Sequence, residues 1–269
     1  MSIYVLKADK RSITLKGDNM LKEERYDKIL EIIDEENYTS AQRLSKLLFV
    51  SLPTVRRDLS ELQKRNLILR SHGGAKKINT EHIVMPLDFR KSLNHIEKRR
   101  ICAEAVKLIK DNDIVFIDAS TTAVQIADFI TDKKSITVVT NSMPLSITLH
   151  KKHIKTYCTG GEIQSHSLGY AGSYAEEFVR NFNFDVVFFS CCGINENGMI
   201  VDASIPETML RKAAIRSSEK AVFLCDHSKF YQAAPYNVMP LGDVDIIITD
   251  EPTDSEKLKN INHSKIKFV

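Results

Sequence analysis

The sequence predicts an α/β chain in two parts, an N-terminal winged helix-turn-helix over residues 20–77 and a mostly parallel α/β domain over residues 92–269. Three observations carry that prediction. Between Ser40 and Ala75 two amphipathic segments follow one another with only Phe49, Val50 and Ser51 between them. Beyond residue 100, short runs that are apolar throughout alternate with segments of helical period, the pattern of a parallel sheet covered on both faces. Charge is also concentrated: nine positive residues between Ser40 and Lys77 oppose two negative ones, +7 in a chain whose net charge is only +3.

Taken in order, residues 1–19 have no clear period and are expected to be a dispensable extension with at most a short strand. A helix from Lys22 to Glu35 follows, with Tyr26, Ile29, Leu30, Ile32 and Ile33 inward. Its outer face carries Glu23, Glu24, Asp27 and Glu31, so it should back the fold and not lie along phosphates. Ala41, Leu44, Leu47 and Leu48 mark a second helix. The third starts sharply, with Ser51 as N-cap and Pro53 in the first turn, where a missing N–H costs nothing. At about 100° per residue, Leu52, Val55, Leu59 and Leu62 form one stripe and leave Pro53, Arg57, Ser60 and Lys64 on the opposite side. Asn66 is a left-handed helix stop. Leu67 to Arg70 then alternates weakly and ends in His72-Gly73-Gly74-Ala75, which reads as a small β-wing whose glycines let the backbone turn close to DNA.

Basic charge gathered on a helix-turn-helix is the electrostatic footprint of a duplex-DNA binder, because each neutralised phosphate releases counterions. In that geometry the first turn of the second helix of the motif meets base edges in the major groove. Ser51, Pro53, Thr54 and Arg57 are therefore the expected base readers. Lys46, Arg56 and Lys64 are expected on phosphates, with Arg70, His72 and Gly73 contributing from the wing. A plain three-helix bundle with a solvated basic face would not explain why two adjacent arginines open a capped helix.

Residues 78–91 are read as a linker, since Asn79, Thr80 and Glu81 are polar and Pro86 breaks any helical period beyond them. A helix opens at Ile96 and leads through Ile101, Ala105, Val106, Leu108 and Ile109 into the second domain. Its strands are expected at 114–117, 136–139, 154–158, 186–191, 221–225, 245–249 and 266–269. Helices are expected between them at 122–130, 143–150, 174–182, 206–217 and 255–261. In an open parallel sheet, ligands sit beyond the C-terminal strand ends, near helix N-termini. The first strand ends in Asp118-Ala119-Ser120-Thr121-Thr122, where hydroxyls and free N–H groups at a helix start suit an anion. The second ends in Thr140-Asn141 and the third in Gly160-Gly161, where paired glycines allow close backbone approach. Glu207, with Arg211 one turn later, opens a later helix, and Lys229 follows the fifth strand.

At 269 residues, with 43% apolar and 27% charged residues, the chain has ordinary globular composition. No apolar run approaches the roughly 18 residues of a membrane span. The N-terminus lacks the apolar core of a secretory signal, so a cytoplasmic protein without a membrane partner is expected. The five cysteines form no C-x-x-C pair and read as buried free thiols. The vicinal pair Cys191-Cys192 would suit a redox or soft-metal site, but nothing else supports one, and neither a metal nor a cofactor is expected.

Two sets of motifs resemble one family. S-x-P-T-V-R-R-D-L from Ser51, followed by L-x-R and S-H-G-G-A, is similar to the N-terminal signature of the DeoR family of bacterial transcriptional regulators. The later loops, Asp118 to Thr122, Thr140-Asn141, Gly160-Gly161, Glu207 and Asp226 to Lys229, resemble that family's effector domain, itself similar in fold to ribose-5-phosphate isomerase and glucosamine-6-phosphate deaminase. There are three departures. Asn66 and Ser120 stand where the family usually has glycine, and Arg211 stands where lysine is common.

The resemblance implies a repressor of a carbohydrate-utilisation operon, assembled as a homodimer or homotetramer. Its affinity for operator DNA would be modulated by a phosphorylated sugar held by Asp118, Ser120, Thr121, Thr122, Thr140, Asn141, Gly160, Gly161, Glu207, Arg211 and Lys229. An activator remains open, as does an isomerase- or deaminase-like enzyme with a DNA-binding head. The helix-turn-helix weighs against the enzyme.

Overall fold

The structure, a computed structural model, describes residues 20–36, 38–65, 67–71, 73–77, 87–130, 135–251 and 265–269. The chain divides into two compact units, Met1–Asn79 and Thr80–Val269. The expected extension over residues 1–19 lies outside the described residues.

In the first unit, α1 (Lys22–Glu36), β1 (Tyr38–Ser40), α2 (Ala41–Leu48), α3 (Leu52–Lys64), β2 (Ile68–Ser71) and β3 (Gly74–Lys77) follow in order. Ser40 and Ser51 cap α2 and α3 by accepting the N–H groups of Arg43 and Thr54. Val55, Leu59 and Leu62 are fully buried against Tyr26, Ile29 and Leu44. Burial at that level contributes roughly 1.5–3 kcal/mol per large apolar side chain. Asp58 shares the buried side of α3, where Arg25 from α1 grips both carboxylate oxygens at 2.6 and 3.0 Å. The face of α3 turned to solvent is therefore more basic than its composition suggests.

The wing strands are joined by β1 in the order β1-β3-β2. Three residues are too few to show an alternation, so β1 was not legible in the sequence. Gly74 has a reason within the sheet itself. A β-carbon there would lie 2.2 Å from the Thr39 carbonyl oxygen, so its absence lets β3 pack on β1. Gly73 has a left-handed backbone, at φ 79°. The expected stop at Asn66, and His72, lie outside the described residues.

The second unit begins with α4 (Leu87–Ser92), most of it inside the stretch 78–91 expected to be linker, and α5 (His95–Ala105). Then follow β4 (Ile114–Ile117), β5 (Thr137–Thr140), α6 (Met143–Lys151) and β6 (Lys155–Cys158). A hairpin, β7 (Glu162–Gln164) and β8 (Gly169–Ala171), leads to α7 (Ser173–Arg180) and β9 (Val186–Phe189). Next come β10 (Gly193–Ile194), β11 (Met199–Asp202), α8 (Ile205–Arg216), β12 (Ala221–Cys225), β13 (Tyr236–Pro240), β14 (Ile246–Thr249) and β15 (Ile266–Phe268). Seven of these strands form one parallel sheet in the order β15-β14-β12-β9-β4-β5-β6.

Both faces of the sheet are covered, which is why its strands read as unbroken apolar runs. Phe116, Val139, Val187, Phe189, Phe223 and Ile247 pack on one face. Val115, Ile117, Val138, Phe188, Val222, Leu224 and Ile248 alternate with them on the other.

Three expectations are corrected. The α-helix expected over 122–130 is a six-residue 3-10 helix, Ala123–Asp128. Side chains compete for its first carbonyls, with Gln125 Nε2 on Thr121 O and Cys102 Sγ on Thr122 O. The hairpin β7–β8 and the antiparallel sheet β10-β11-β13 were not expected, because their strands are too short to show a period. Of the thiols expected to be buried, Cys158 and Cys192 are only partly so. The helix expected at 255–261 lies outside the described residues.

Chain order places the site. From β4 at the centre the chain moves outward through β5 and β6, then returns to lay β9 on the other side of β4. Strand order reverses between β4 and β9, and the C-terminal ends of those two strands define the crevice of an open α/β sheet.

Candidate functional site

The first unit offers a surface and the second a cavity. On α3, Ser51, Pro53, Arg56, Arg57 and Lys64 are exposed, as is Lys46 on α2, and Thr54 is half-buried. Lys46, Arg56, Arg57 and Lys64 have no carboxylate partner among the described residues. By contrast, Arg43 is paired with Glu36, and Arg65 with Glu23 and Glu61. The Ser51 hydroxyl is occupied by the helix cap and by Thr54 Oγ1 at 2.8 Å, so it holds the first turn of α3 in shape. Arg70 reaches from the wing to Ser60 Oγ at 2.9 Å, which ties β2 to α3.

In the second unit a cavity of about 60 Å³ opens at the β4/β9 switch point. Ser120, Thr121 and Thr122 line it from the loop after β4, and Ser190, Cys191 and Cys192 from the loop after β9. Asp202, Glu207 and Arg211 close one side, and Arg90, His166, Ser167 and Lys229 complete the wall. A wider, open hollow near 700 Å³ beside Ile136, Lys152 and Lys155 lies at the N-terminal ends of β5 and β6, opposite to where such sheets bind ligands.

Within the cavity wall, charges are sorted into committed and available groups. Arg211 is buried; its Nε meets Asp118 Oδ2 at 3.0 Å and its Nη1 meets Asp202. Burial alone would lower its pKa, but Cys191, Asp202, Asp118 and Glu207 hold it well above the usual arginine value. Asp118 also accepts from the Ser120 N–H and hydroxyl. Asp118 and Arg211 are thus internal struts, with the Ser120 hydroxyl bridging Asp118 and the Ala123 N–H.

Glu207 is bound by His166 Nε2 at 3.0 Å and by the Ser167 hydroxyl. Burial pushes its carboxyl up, yet His166, Arg211 and Ser167 together bring it down to about 2. A group so acidic is a poor general acid or base at neutral pH.

What remains for a ligand is cationic and donor-rich. The Thr121 and Thr122 N–H groups make no hydrogen bond within the described residues. Arg90, from α4, is already engaged at the cavity wall, where it donates to the His166 carbonyl. Lys229 is half-buried there, and Ser190 Oγ is buried with no partner among the described residues. Behind Arg90, the Lys98 ammonium donates to the Arg90 carbonyl at 2.6 Å, and burial brings its pKa down to about 8 against the pull of Asp226.

Thr140, Asn141, Gly160 and Gly161 do not line the cavity. Thr140 Oγ1 donates to the Ile117 carbonyl and Asn141 Nδ2 to the Tyr170 carbonyl, so both brace its walls. Gly161, at φ 110°, lacks a β-carbon that would lie 2.6 Å from the Ala171 carbonyl oxygen. Arg90, His166, Ser167, Ser190 and Asp202 were missed from the sequence. Glu207 was legible as the opening of a helix with Arg211 one turn later; Ser204-x-x-Glu207 also has capping-box spacing, and Ser204 Oγ accepts the Glu207 N–H. Among the described residues no group of His, Cys, Asp and Glu is placed to hold a metal, and no helix is long and apolar enough to cross a membrane.

A unit built to read duplex DNA and a unit built to hold a small polar ligand make a one-chain transcriptional regulator. Comparison with known proteins agrees in both halves: a DeoR-like helix-turn-helix domain matches residues 25–81 and a DeoR C-terminal sensor domain matches residues 93–251. The chain belongs to the DeoR family of transcriptional regulators, which places it with regulators and not with enzymes.

It is 34% identical over 93% of its length to the HTH-type transcriptional regulator YulB of Bacillus subtilis, covering 97% of that protein. It is 31% identical over 87% of its length to the glycerol-3-phosphate regulon repressor of Escherichia coli, covering 92% of that protein. The transcriptional repressor AccR of Agrobacterium fabrum is likewise 31% identical, over 86% of this chain and 90% of its own. Ribose-5-phosphate isomerase A of Methanocaldococcus jannaschii aligns with 51% of this chain and 54% of its own at 15% identity and a TM-score of 0.39, too distant a likeness to bear on function.

Proposed function

We propose that the protein is a cytoplasmic repressor of a carbohydrate-utilisation operon, and that a phosphorylated sugar bound at the β4/β9 crevice changes its affinity for operator DNA. The observation that carries the reading is the division of charge in the cavity. Arg211 is neutralised by Asp118 and Asp202, while Lys229, Thr121 and Thr122 line the same space, and the N–H groups of the two threonines make no hydrogen bond within the described residues. That set suits a phosphate, and Ser190 and His166 suit sugar hydroxyls. Two relatives are repressors by name, one of them of a glycerol-3-phosphate regulon.

On the DNA side, Ser51, Pro53, Thr54 and Arg57 would meet base edges, Lys46, Arg56 and Lys64 would meet phosphates, and Arg70 and Gly73 would support them from the wing. Half-sites read by one helix each call for two-fold symmetry, so a dimer or a tetramer is the working assembly. Cavity volume adds a condition: about 60 Å³ is room for a couple of waters, so a sugar phosphate has to displace part of the wall. The effector acts only to the extent that it binds one conformation better than the other.

The test is fluorescence anisotropy on duplex DNA from upstream of the protein's own gene, at fixed salt, with phosphorylated sugars and their free counterparts. One phosphorylated sugar should shift the binding curve while its free form does not. Lys229→Met, which removes a cation of the cavity wall, should blunt that shift and spare DNA affinity. Specific DNA binding indifferent to every phosphorylated sugar would sink the effector half of the reading.

A further inference from the structure

Phe49 sits in the turn between α2 and α3 against two physical preferences. It caps α2 at φ 54° and ψ 36°, the left-handed region, where a β-carbon is disfavoured and a bulky residue is an outlier. Its side chain is 74% exposed, so the ring gains almost nothing from the core of this unit. Nor does the ring hold the turn. The Phe49 and Val50 N–H groups both reach the Ser45 carbonyl, and Ser45 Oγ donates to the Val50 carbonyl at 2.6 Å. Glycine would keep all three bonds and remove the strain. A strained backbone retained for an exposed aromatic ring is an outlier from which function can be inferred.

The position of the ring narrows that function. Phe49 is two residues before the Ser51 cap, and two residues of chain reach at most about 7 Å. The backbone of Phe49 therefore lies next to the first turn of α3, whose exposed surface is Ser51, Pro53, Arg56 and Arg57. We propose that Phe49 is an apolar DNA contact, packing on a thymine methyl or a deoxyribose at the rim of the groove that α3 enters.

DNA is the occupant because this exposed residue adjoins the first turn of α3, and the exposed Lys46, Arg56 and Arg57 on either side of it in the chain draw phosphates to that place. Phenylalanine is among the side chains that read the thymine methyl by apolar contact. The inference rests on the assignment of α3 as the DNA-reading helix. It predicts a contribution that salt does not report, since an apolar contact releases no counterion.

The experiment compares the full-length protein with Phe49→Gly, Phe49→Leu and Arg57→Ala on duplex DNA from upstream of its own gene, by anisotropy over a salt series, with thermal melting alongside. Phe49→Gly should weaken binding roughly five- to twentyfold, as expected for losing a partly buried ring. The slope of log affinity against log salt should stay unchanged, and the melting temperature of the first unit should rise by about 4 °C. Phe49→Leu should bind within about threefold of wild type, as apolar contact requires. Replacing thymine by deoxyuridine assigns the partner: weaker wild-type binding points to the methyl, and equal binding points to the deoxyribose.

Phe49→Gly binding as tightly as wild type, or more tightly, or with a changed salt slope, overturns the proposal. If Arg57→Ala loses base preference while Phe49→Gly behaves as wild type, Phe49 alone is misassigned. If the wild-type protein shows no specific binding, the assignment of α3 fails first.

Discussion

Arg211→Met tests the charge arrangement from which the ligand cavity is built. The substitution keeps most of the side-chain volume and removes the cation between Asp118 and Asp202. The three side chains are only 7%, 3% and 7% exposed, so water cannot screen the loss. Removing one partner of a buried pair costs about 3–5 kcal/mol, because the remaining charge stays buried without compensation.

With a urea slope of about 2 kcal/mol per molar, the unfolding midpoint of the second unit should fall by about 1.5–2.5 M. The chain has no tryptophan, so far-UV circular dichroism is the suitable signal. The direction with pH follows from proton linkage. Burial already raises the Asp118 pKa, and Arg211 opposes that rise. Without the arginine the folded state binds protons more strongly than the unfolded chain, so stability falls as pH rises. The deficit against wild type should therefore be larger at pH 8 than at pH 5. A midpoint shift below about 0.5 M, or a deficit equal at both pH values, would refute the assignment of Arg211 as the strut between two desolvated carboxylates.

Further outcomes are expected elsewhere. Arg57→Ala should cost about 1–3 kcal/mol of operator binding and relax base preference; preserved preference in a binding-site selection would confine Arg57 to phosphate. His227 Nδ1 meets Asp250 at 2.7 Å, and that hydrogen bond raises the histidine pKa against partial burial. Asp250→Asn should lower it toward the ordinary value in an NMR titration. The stabilisation from this pair is complete below the unfolded pKa of about 6.5 and is lost as pH rises through the raised folded value. It is small because the ring is half exposed. A stability difference between wild type and Asp250→Asn that grows between pH 6 and pH 9 would contradict that sign. Gly74→Ala should lower the melting temperature of the first unit, since its β-carbon would collide with the Thr39 carbonyl oxygen at 2.2 Å; an unchanged melting curve would show that β1 yields.

Local chemistry was sufficient for much of this protein. The stripe of Val55, Leu59 and Leu62, the Ser51 cap and the basic outer face of α3 are written in residues three or four apart, and a helix turns that spacing into a surface without outside help. The strands of the parallel sheet were legible for a related reason. Burial on both faces demands apolar residues at every position, so Val186 to Phe189 and Ala221 to Cys225 announce themselves. The family motifs after β4 and β12 likewise fall in short contiguous runs.

The tertiary structure decided which residues meet. Arg90 and His166 lie 76 positions apart, Arg211 and Asp118 lie 93 apart, and Arg25 and Asp58 lie 33 apart. No periodicity links them. The Gly160-Gly161 pair looked like a ligand cradle, because glycine at a strand end serves a close ligand and a close neighbouring backbone equally well. Only the position of Ala171 shows that Gly161 serves the second. The site itself exists because β9 returns beside β4, so that the loop carrying Ser120 and Thr121 faces the loop carrying Ser190 and Cys192. Local sequence sets which face of each element is buried. Which elements become neighbours depends on the packing of the whole sheet, and that neighbourhood assembles the cavity.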